Sequence, residues 1–346
     1  MNRFTQVNIK KPYLVFVGDV ESPTYVKTAA GLVQWRPQDI AGQLKFSGNP
    51  LELGVPNLNI EEAILAGAKS LVIGVAPVGG VIGAEWIEVL RKAAEAGLDV
   101  VSGLHRRLNS YPELVLAAEK SGAKLIDVRV PSQDLPIANG VRRTGKRLLM
   151  VGSDCAVGKK YTALAISQML NKHGIEATFR ATGQTGIMIA GSGVPIDAVV
   201  ADFIAGAAEI ISPQNHNNHW DVIEGQGSLF NPSYSGVSLG LLHGSQPDAI
   251  IVCHDPLRKM MSSCPHLPIP SVEECIELSL SCGRIVNPEI QCIGISINSV
   301  AMSAKDAENY KNKITQQTGY PCFDPLVDGC EIIIEKIRGL SFETTS

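Results

Sequence analysis

Aromatic residues are scarce, 5% of 346 residues, so the chain lacks the stacking platforms that single-stranded nucleic acid requires. It also lacks an excess of positive charge. Lys and Arg number 30 against 34 Asp and Glu, giving a formal charge of −4 and a pI near 6.0. No basic stripe marks a nucleic-acid or anionic-membrane surface, and the short pairs Lys10–Lys11 and Arg142–Arg143 read as solvated surface. No apolar run approaches the roughly 18 residues of a membrane span. The first residues hold neither a long apolar stretch nor a small-residue cleavage site, so no secretory leader is expected. Cysteine is absent before Cys155, and the eight that occur form no C-x-x-C pair, which removes the basis for a zinc ribbon or thioredoxin motif. They read as reduced thiols, several in apolar strands (Cys253, Cys292) or helices (Cys275, Cys282), and predict a cytoplasmic protein.

What is present is globular: 45% hydrophobic residues, 33 Gly and 20 Pro, in a chain long enough for two cores. Short apolar runs at Tyr13–Val17, Ser70–Val75, Asp99–Ser102 and Lys124–Val128 read as strands. They alternate with helices over Glu61–Ala68, Ala84–Ala96 and Tyr111–Ser121. Alternation with short loops predicts a parallel sheet covered by helices, an α/β fold. The stretch Val130–Gly145, with Pro131 and Pro136 and no periodicity, reads as a linker. Division into residues 1–140 and 141–346 follows. The second half restarts with strands over Lys146–Val151, Ala177–Ala181, Trp220–Ile223, Ala249–His254 and Gln291–Ile297. Helices are expected over Lys159–His173, Asp197–Ile211, Ser271–Cys282, Ser303–Thr318 and Leu326–Arg338.

The sharpest motif is Gly152-Ser153-Asp154-Cys155-Ala156-Val157-Gly158-Lys159-Lys160-Tyr161-Thr162, set between an expected strand and an expected helix. Loop amides and a helix N-terminus make a partial positive site for phosphate, glycines allow close backbone approach, and Lys159 adds a full charge. Two features depart from the common nucleotide loop. Five residues separate the glycines instead of four, and Lys160 stands where a Ser or Thr hydroxyl would meet Mg²⁺. Thr162 would replace that hydroxyl if the helix started late.

Polar residues follow several expected strands, where ligands of parallel sheets bind. Arg180 precedes Thr182-Gly183-Gln184-Thr185-Gly186, a flexible polar loop that would contact phosphate or substrate through Gln184 and Thr185. Glu224 ends an apolar strand, as a base, as a holder of metal-bound water, or as an exposed strand end. Arg180 and Arg258 are either bidentate clamps for a substrate carboxylate or surface ion pairs. His243 reads as a general base or a packed core histidine. Asp202 and Glu209 share a helix face, and His216 and His219 lie three apart with no third ligand evident, so no metal site is assigned. In the N-terminal half, Gly74–Gly83 is a weak dinucleotide-type turn, and Ser102-Gly-Leu-His105-Arg106-Arg107 sets a histidine and two arginines at a strand end.

Ala76-Pro-Val-Gly-Gly, Gly97-Leu-Asp-Val-Val-Ser-Gly-Leu-His105, Asp127-Val-Arg-Val-Pro131, the Gly152–Thr162 loop, Thr182-Gly-Gln-Thr-Gly186, Asp202-Phe-Ile-Ala-Gly206-Ala-Ala-Glu209, Glu224-Gly-Gln-Gly-Ser228 and Cys253-His-Asp-Pro256 together resemble the D-glutamate N-acetyltransferase family. The five-residue loop is also similar to that of dethiobiotin synthetase. The resemblance implies a Rossmann-like N-terminal domain joined to a P-loop domain, with acetyl-CoA as acetyl donor. Coenzyme A carries phosphates a P-loop can hold without hydrolysis, so Lys160 is tolerable there. The expectation is an acetyl-CoA-dependent N-acetyltransferase acting on a small-molecule acidic amino acid, which the resemblance implies is D-glutamate, with Glu224 or His243 as base. The competing readings are an ATP- and Mg²⁺-dependent kinase or ligase and a nucleotide sensor without turnover. A homo-oligomer is expected on the commonness of such assemblies among enzymes.

Overall fold

The computed structural model describes residues 5–22, 25–75 and 82–342. The first part of the chain runs β1 (Thr5–Gln6), β2 (Tyr13–Gly18), α1 (Lys27–Trp35), β3 (Ile40–Lys45), α2 (Ile60–Leu65), β4 (Ser70–Ile73), α3 (Ala84–Glu95), β5 (Asp99–Ser102), α4 (Pro112–Ser121) and β6 (Leu125–Asp127). It continues through β7 (Lys146–Gly152), α5 (Lys159–Lys172), β8 (Ala177–Arg180), α6 (Gln184–Ala190), β9 (Ser192–Gly193), α7 (Ile204–Ile211) and β10 (Trp220–Ile223). The last elements are α8 (Ser235–Ser245), β11 (Ala249–His254), α9 (Val272–Gly283), β12 (Gln291–Ile297), α10 (Ala304–Thr318), β13 (Cys322–Phe323) and α11 (Glu331–Phe342).

The strands form because they are short apolar runs buried on both faces, as parallel strands must be. All six residues of β2 and all six of β11 are buried. Local signals set the helix ends. Asn59 with Glu62 and Ser271 with Glu274 form reciprocal capping boxes ahead of α2 and α9. Gly122 and Gly319, both left-handed, close α4 and α10.

The chain divides into two compact units. The N-terminal unit is Thr5–Val130 together with Gln184–Pro195. Its sheet has the order β3-β2-β4-β5-β6, every pair parallel. The short ribbon β1–β9 is antiparallel. Helix α6 is anchored on α1: Thr185 Oγ1 lies 2.8 Å from Thr28 Oγ1, and Arg36 Nε donates to the Ile189 carbonyl at 2.7 Å. The Ala76–Gly80 turn expected from sequence lies outside the described residues.

The C-terminal unit is Pro131–Gly183 with the chain from Ile196 onward, and its parallel sheet has the order β13-β12-β11-β7-β10-β8. After β7 the chain fills one side of it with β8 and β10 and then the other with β11 to β13. The order therefore reverses at β7, which opens the ligand crevice at the carboxyl end of that strand. Leu148, Met150, Trp220, Val222 and Ile251 pack one face of the sheet against Ala163, Ile166 and Leu170 of α5 and Ile333 of α11.

The expected linker is tied down over residues 136–143. The Glu209 carboxylate accepts from the Asn139 and Gly140 amides, and Gly206 packs so close that a Cβ there would lie 1.9 Å from the Pro136 carbonyl oxygen. Arg142 is exposed, but Arg143 is mostly buried and donates to the Ser212 and Gly244 carbonyls, which corrects the reading of Arg143 as solvated.

Candidate functional site

The loop after β7 turns through two left-handed residues, Ala156 (φ 56°) and Gly158 (φ 105°), before α5 begins at Lys159. A non-glycine residue with positive φ is strained, and such turns point successive amides inward as an anion nest. Lys159 folds under this loop, 6% exposed, with Nζ donating to the Asp154 carbonyl at 2.7 Å. Burial holds its pKa below the ordinary lysine value. Glycines leave space around it. A Cβ at Gly152 would lie 3.1 Å from Lys159 Nζ, and one at Gly225 would meet Lys159 Cδ at 2.9 Å and the Met150 carbonyl at 1.6 Å.

An acid inside an anion loop repels its ligand unless its charge is matched. Asp154 is fully buried and matched on every side. Its Oδ1 accepts from Asn231 Nδ2 at 2.8 Å, and its Oδ2 accepts from Arg258 Nη1 at 2.9 Å and the Ser262 amide at 2.7 Å. Burial pushes its pKa up, but the Ser262 amide, Asn231, the Cys155 amide and Arg258 outweigh that and hold it below the usual carboxylate range. Arg258 also donates to the Cys155 carbonyl at 2.6 Å. It therefore fastens the loop to the segment after β11, a task different from the carboxylate clamp expected of it.

The hydroxyl of Thr162 faces the sheet. It donates to the Gly158 carbonyl at 3.1 Å and lies 2.8 Å from Ser296 Oγ, with the Cys253 thiol 3.6 Å away. Because α5 starts at Lys159, Thr162 falls one full turn in and does not replace the missing hydroxyl. Lys160 lies 4.4 Å from the centre of the Tyr161 ring. Cys155 is half-buried and burial raises its thiol pKa.

Glu224 follows β10, the strand beside β7, and is 4% exposed, so the reading as an exposed strand end is corrected. One oxygen accepts from the Thr182 amide at 2.9 Å and the Gly183 amide at 3.0 Å. Burial raises its pKa, opposed by the charge of Lys160 and by those two amides. Thr182 Oγ1 donates to the Glu224 carbonyl at 2.6 Å and accepts from Gln226 Nε2 at 2.9 Å.

The other expected residues lie elsewhere. Arg180 pairs with the buried Asp221, Nε to Oδ1 2.7 Å, along the strands. Gln184 and Thr185 start α6 in the N-terminal unit, where Gln184 Oε1 accepts from Arg129 Nη2 at 2.7 Å. They form a helix instead of a flexible loop. His243 is corrected as a base. Helix α8 runs back toward the start of β11, so its last turn lies at the edge of the sheet opposite the loop, and there His243 Nε2 meets the Cys282 carbonyl at 3.1 Å. His219 Nε2 meets Thr178 Oγ1 at 2.9 Å, and Asp202 sits in an exposed 3-10 turn.

His254 is the last residue of β11, a polar side chain ending an apolar strand. It is 6% exposed, its Nδ1 is 2.9 Å from Ser153 Oγ, and its ring stacks on Tyr310 at 6.2 Å. Burial lowers its pKa, which favours the neutral ring. Asn231, wholly buried in the turn before α8, carried no sequence signal of its contact with Asp154, which lies 77 positions away.

The fold and this loop define a phosphate-loop α/β protein that carries a second, Rossmann-like unit. Residues 136–334 match the P-loop domain, and residues 46–131 the Rossmann-like domain, of the family described as a domain of unknown function, DUF1611. The chain belongs to this family. A D-glutamate N-acetyltransferase of Tritonibacter scottomollicae is 47% identical over 332 residues, 96% of this chain and 100% of that protein. A D-glutamate N-acetyltransferase of a Pseudoalteromonas species is 44% identical over 331 residues, with coverage of 96% and 100%. The crystal structure of a DUF1611 family protein from Anabaena variabilis superimposes with a TM-score of 0.86 at 29% identity, covering 95% of this chain and 100% of that one.

Proposed function

We propose that this chain is a D-glutamate N-acetyltransferase that takes its acetyl group from acetyl-CoA. The observation that carries the reaction is the full-length similarity to two proteins of that name. Support for the donor comes from the loop. Its amides, the buried Lys159 ammonium and the neutralised Asp154 suit a phosphate-bearing ligand, and the Gly152 and Gly225 positions have no side chain to fill the cradle. Lys160 in the hydroxyl position and Thr162 turned into the sheet favour a phosphate held without Mg²⁺-dependent cleavage.

Acetyl-CoA supplies an activated thioester: the amine nitrogen bonds to the acetyl carbon, the carbon–sulfur bond breaks, and CoA leaves as the thiol. In this reading Glu224 takes the proton the ammonium must lose first. Burial raises its pKa, which makes the carboxylate a better base, and Lys160 with the Thr182 and Gly183 amides opposes that shift and favours the charged form.

The test is incubation of the purified chain with acetyl-CoA and either D- or L-glutamate, followed by mass spectrometry of the product, with and without EDTA. N-acetyl-D-glutamate formed equally in EDTA is the expected result. Turnover of ATP that needs Mg²⁺, with no acetyl transfer, would replace this reading with the kinase or ligase.

A further inference from the structure

The phosphate loop leaves β7 between an acid and a histidine. Glu224 follows β10, which pairs with β7 along one edge, and His254 ends β11, which pairs with it along the other. The three strands are parallel, so both residues stand at the carboxyl edge where such sheets bind ligands. Cys253 is opposite Gly152, which sets His254 beside Ser153, the next residue of the loop. All of these residues belong to the C-terminal unit.

The His254 ring is held from two sides. Nδ1 lies 2.9 Å from Ser153 Oγ, and the Tyr310 ring lies within 8° of parallel, its centre 6.2 Å away. Hydrogen-bond accounting then places the proton. Ser153 is wholly buried, and among the described residues its hydroxyl meets no partner except His254 Nδ1. If that hydroxyl accepted from Nδ1–H, its own proton would be buried and unpaired, which folding penalises. The serine therefore donates to Nδ1, and the neutral ring carries its proton on Nε2. Nε2 meets no described residue and is open to solvent. Burial and Arg258 disfavour a second proton, against the opposing charges of Asp255 and Glu273. Other strong donors are engaged: Arg258 holds Asp154, and the Thr162 hydroxyl is turned into the sheet.

Resting on the acetyltransferase reading, we propose that His254, its proton held on Nε2 by Ser153, donates a hydrogen bond to the thioester carbonyl oxygen as that oxygen becomes an oxyanion. Attack of the amine forms the nitrogen–carbon bond and moves the carbonyl π pair onto oxygen. The pair returns as the carbon–sulfur bond breaks, and the proton the nitrogen sheds ends on the sulfur. His254 exchanges no proton in this sequence. A neutral N–H suits the task because it stabilises the developing charge without burying a cation. His254 is then a catalytic residue and Ser153 a positioning residue that acts through it.

The experiment uses the full chain and the variants His254→Asn, His254→Gln and Ser153→Ala, each checked by thermal melting. A glutamine amide nitrogen falls where Nε2 stood, and an asparagine amide nitrogen where Nδ1 stood. Kinetics with acetyl-CoA and D-glutamate are paired with calorimetric titration of CoA, which lacks the carbonyl. His254→Asn is expected to lose about 10²- to 10³-fold in kcat at unchanged CoA affinity, and His254→Gln to regain about tenfold or more of that loss. Ser153→Ala, which frees the proton to move to Nδ1, should lose about tenfold in kcat. Heteronuclear NMR of isotopically labelled histidine should show the His254 proton on Nε2 in the wild type and on both nitrogens in Ser153→Ala. A wild-type proton on Nδ1, equal kcat losses in the two folded His254 variants, or wild-type kcat in His254→Asn would overturn the role. So would a loss confined to CoA affinity, which would assign His254 to the phosphates. In each of those cases a wild type that acetylates D-glutamate keeps the acetyltransferase reading, whereas a wild type that acetylates no glutamate retires both.

Discussion

Arg258 Nη1 lies 2.9 Å from Asp154 Oδ2, and the two residues join the phosphate loop to the segment beyond β11 across 104 positions of sequence. The pair is asymmetric, since the Asp154 side chain is wholly buried while that of Arg258 is 20% exposed. Arg258→Ala would leave a buried carboxylate with less compensation and is expected to cost about 2–4 kcal/mol, below the usual upper figure because solvent reaches the arginine. Adding Asp154→Asn to that variant should restore part of the loss, a coupling readable by urea unfolding of the four proteins of the cycle. The native pKa of Asp154 is held below its unfolded value of 3.8. Its contribution to stability is therefore full above that value and lost as pH falls through the native one.

Lys159→Met should separate binding from folding. Loss of a charged phosphate contact is expected to weaken acetyl-CoA about 10- to 100-fold. Stability should hold or rise at neutral pH, because burial depresses the native pKa and makes the ammonium costly in the folded chain. A fall in melting temperature without loss of affinity would show that the lysine is structural.

Glu224→Gln tests the base. Activity of the wild type should rise with pH along a limb lying above the ordinary carboxylate value of 4.5, because burial raises this pKa. The variant should lose that limb, with kcat lower by about 10²- to 10⁴-fold. Stability should move the opposite way. A raised native pKa makes the ionised group unfavourable, so the wild type loses stability relative to the variant as pH climbs from 4.5 through the native value.

Two glycines should respond oppositely to alanine. Gly225→Ala sets a Cβ 1.6 Å from the Met150 carbonyl on the adjacent strand, and relief requires parting β7 from β10. Unfolded or insoluble protein is expected on expression. Gly236, in the first turn of α8, has nothing within 4 Å of its would-be Cβ. Alanine there should stabilise by about 0.5–1 kcal/mol in thermal melting.

The sequence was most legible where a signal is local. The P-loop, strands such as Asp99–Ser102 and Gln291–Ile297, and the capped helices α9 and α10 lie within a residue or two of their expected bounds. Helix α1, strand β3 and helix α8 were missed. In α8 the three glycines Gly236, Gly240 and Gly244 hide the helical pattern, and the reason for two of them is tertiary: Gly240 packs on Ile204 and Gly244 on the Ala205 carbonyl. The helix expected over Asp197–Ile211 starts only at Ile204, because Val200 is extended and the chain before it forms two 3-10 turns. At the site, residue types at strand ends were visible and their pairings were not. Nothing local showed that Arg258 would face Asp154, or that His243 would lie at the far edge of the sheet.

The excursion of Gln184–Pro195 into the N-terminal unit bears on how such a chain can be recombined. A crossover near residue 140 looks harmless in sequence, yet Thr28 and Arg36 sit before it and their partners Thr185 and Ile189 after it. Exchanging the C-terminal half with that of a relative would deliver a foreign α6 into a resident core. A viable chimaera has to keep Gln184–Pro195 with the half it packs against, so the phosphate-loop half is not a cassette that evolution or the bench can swap in a single cut.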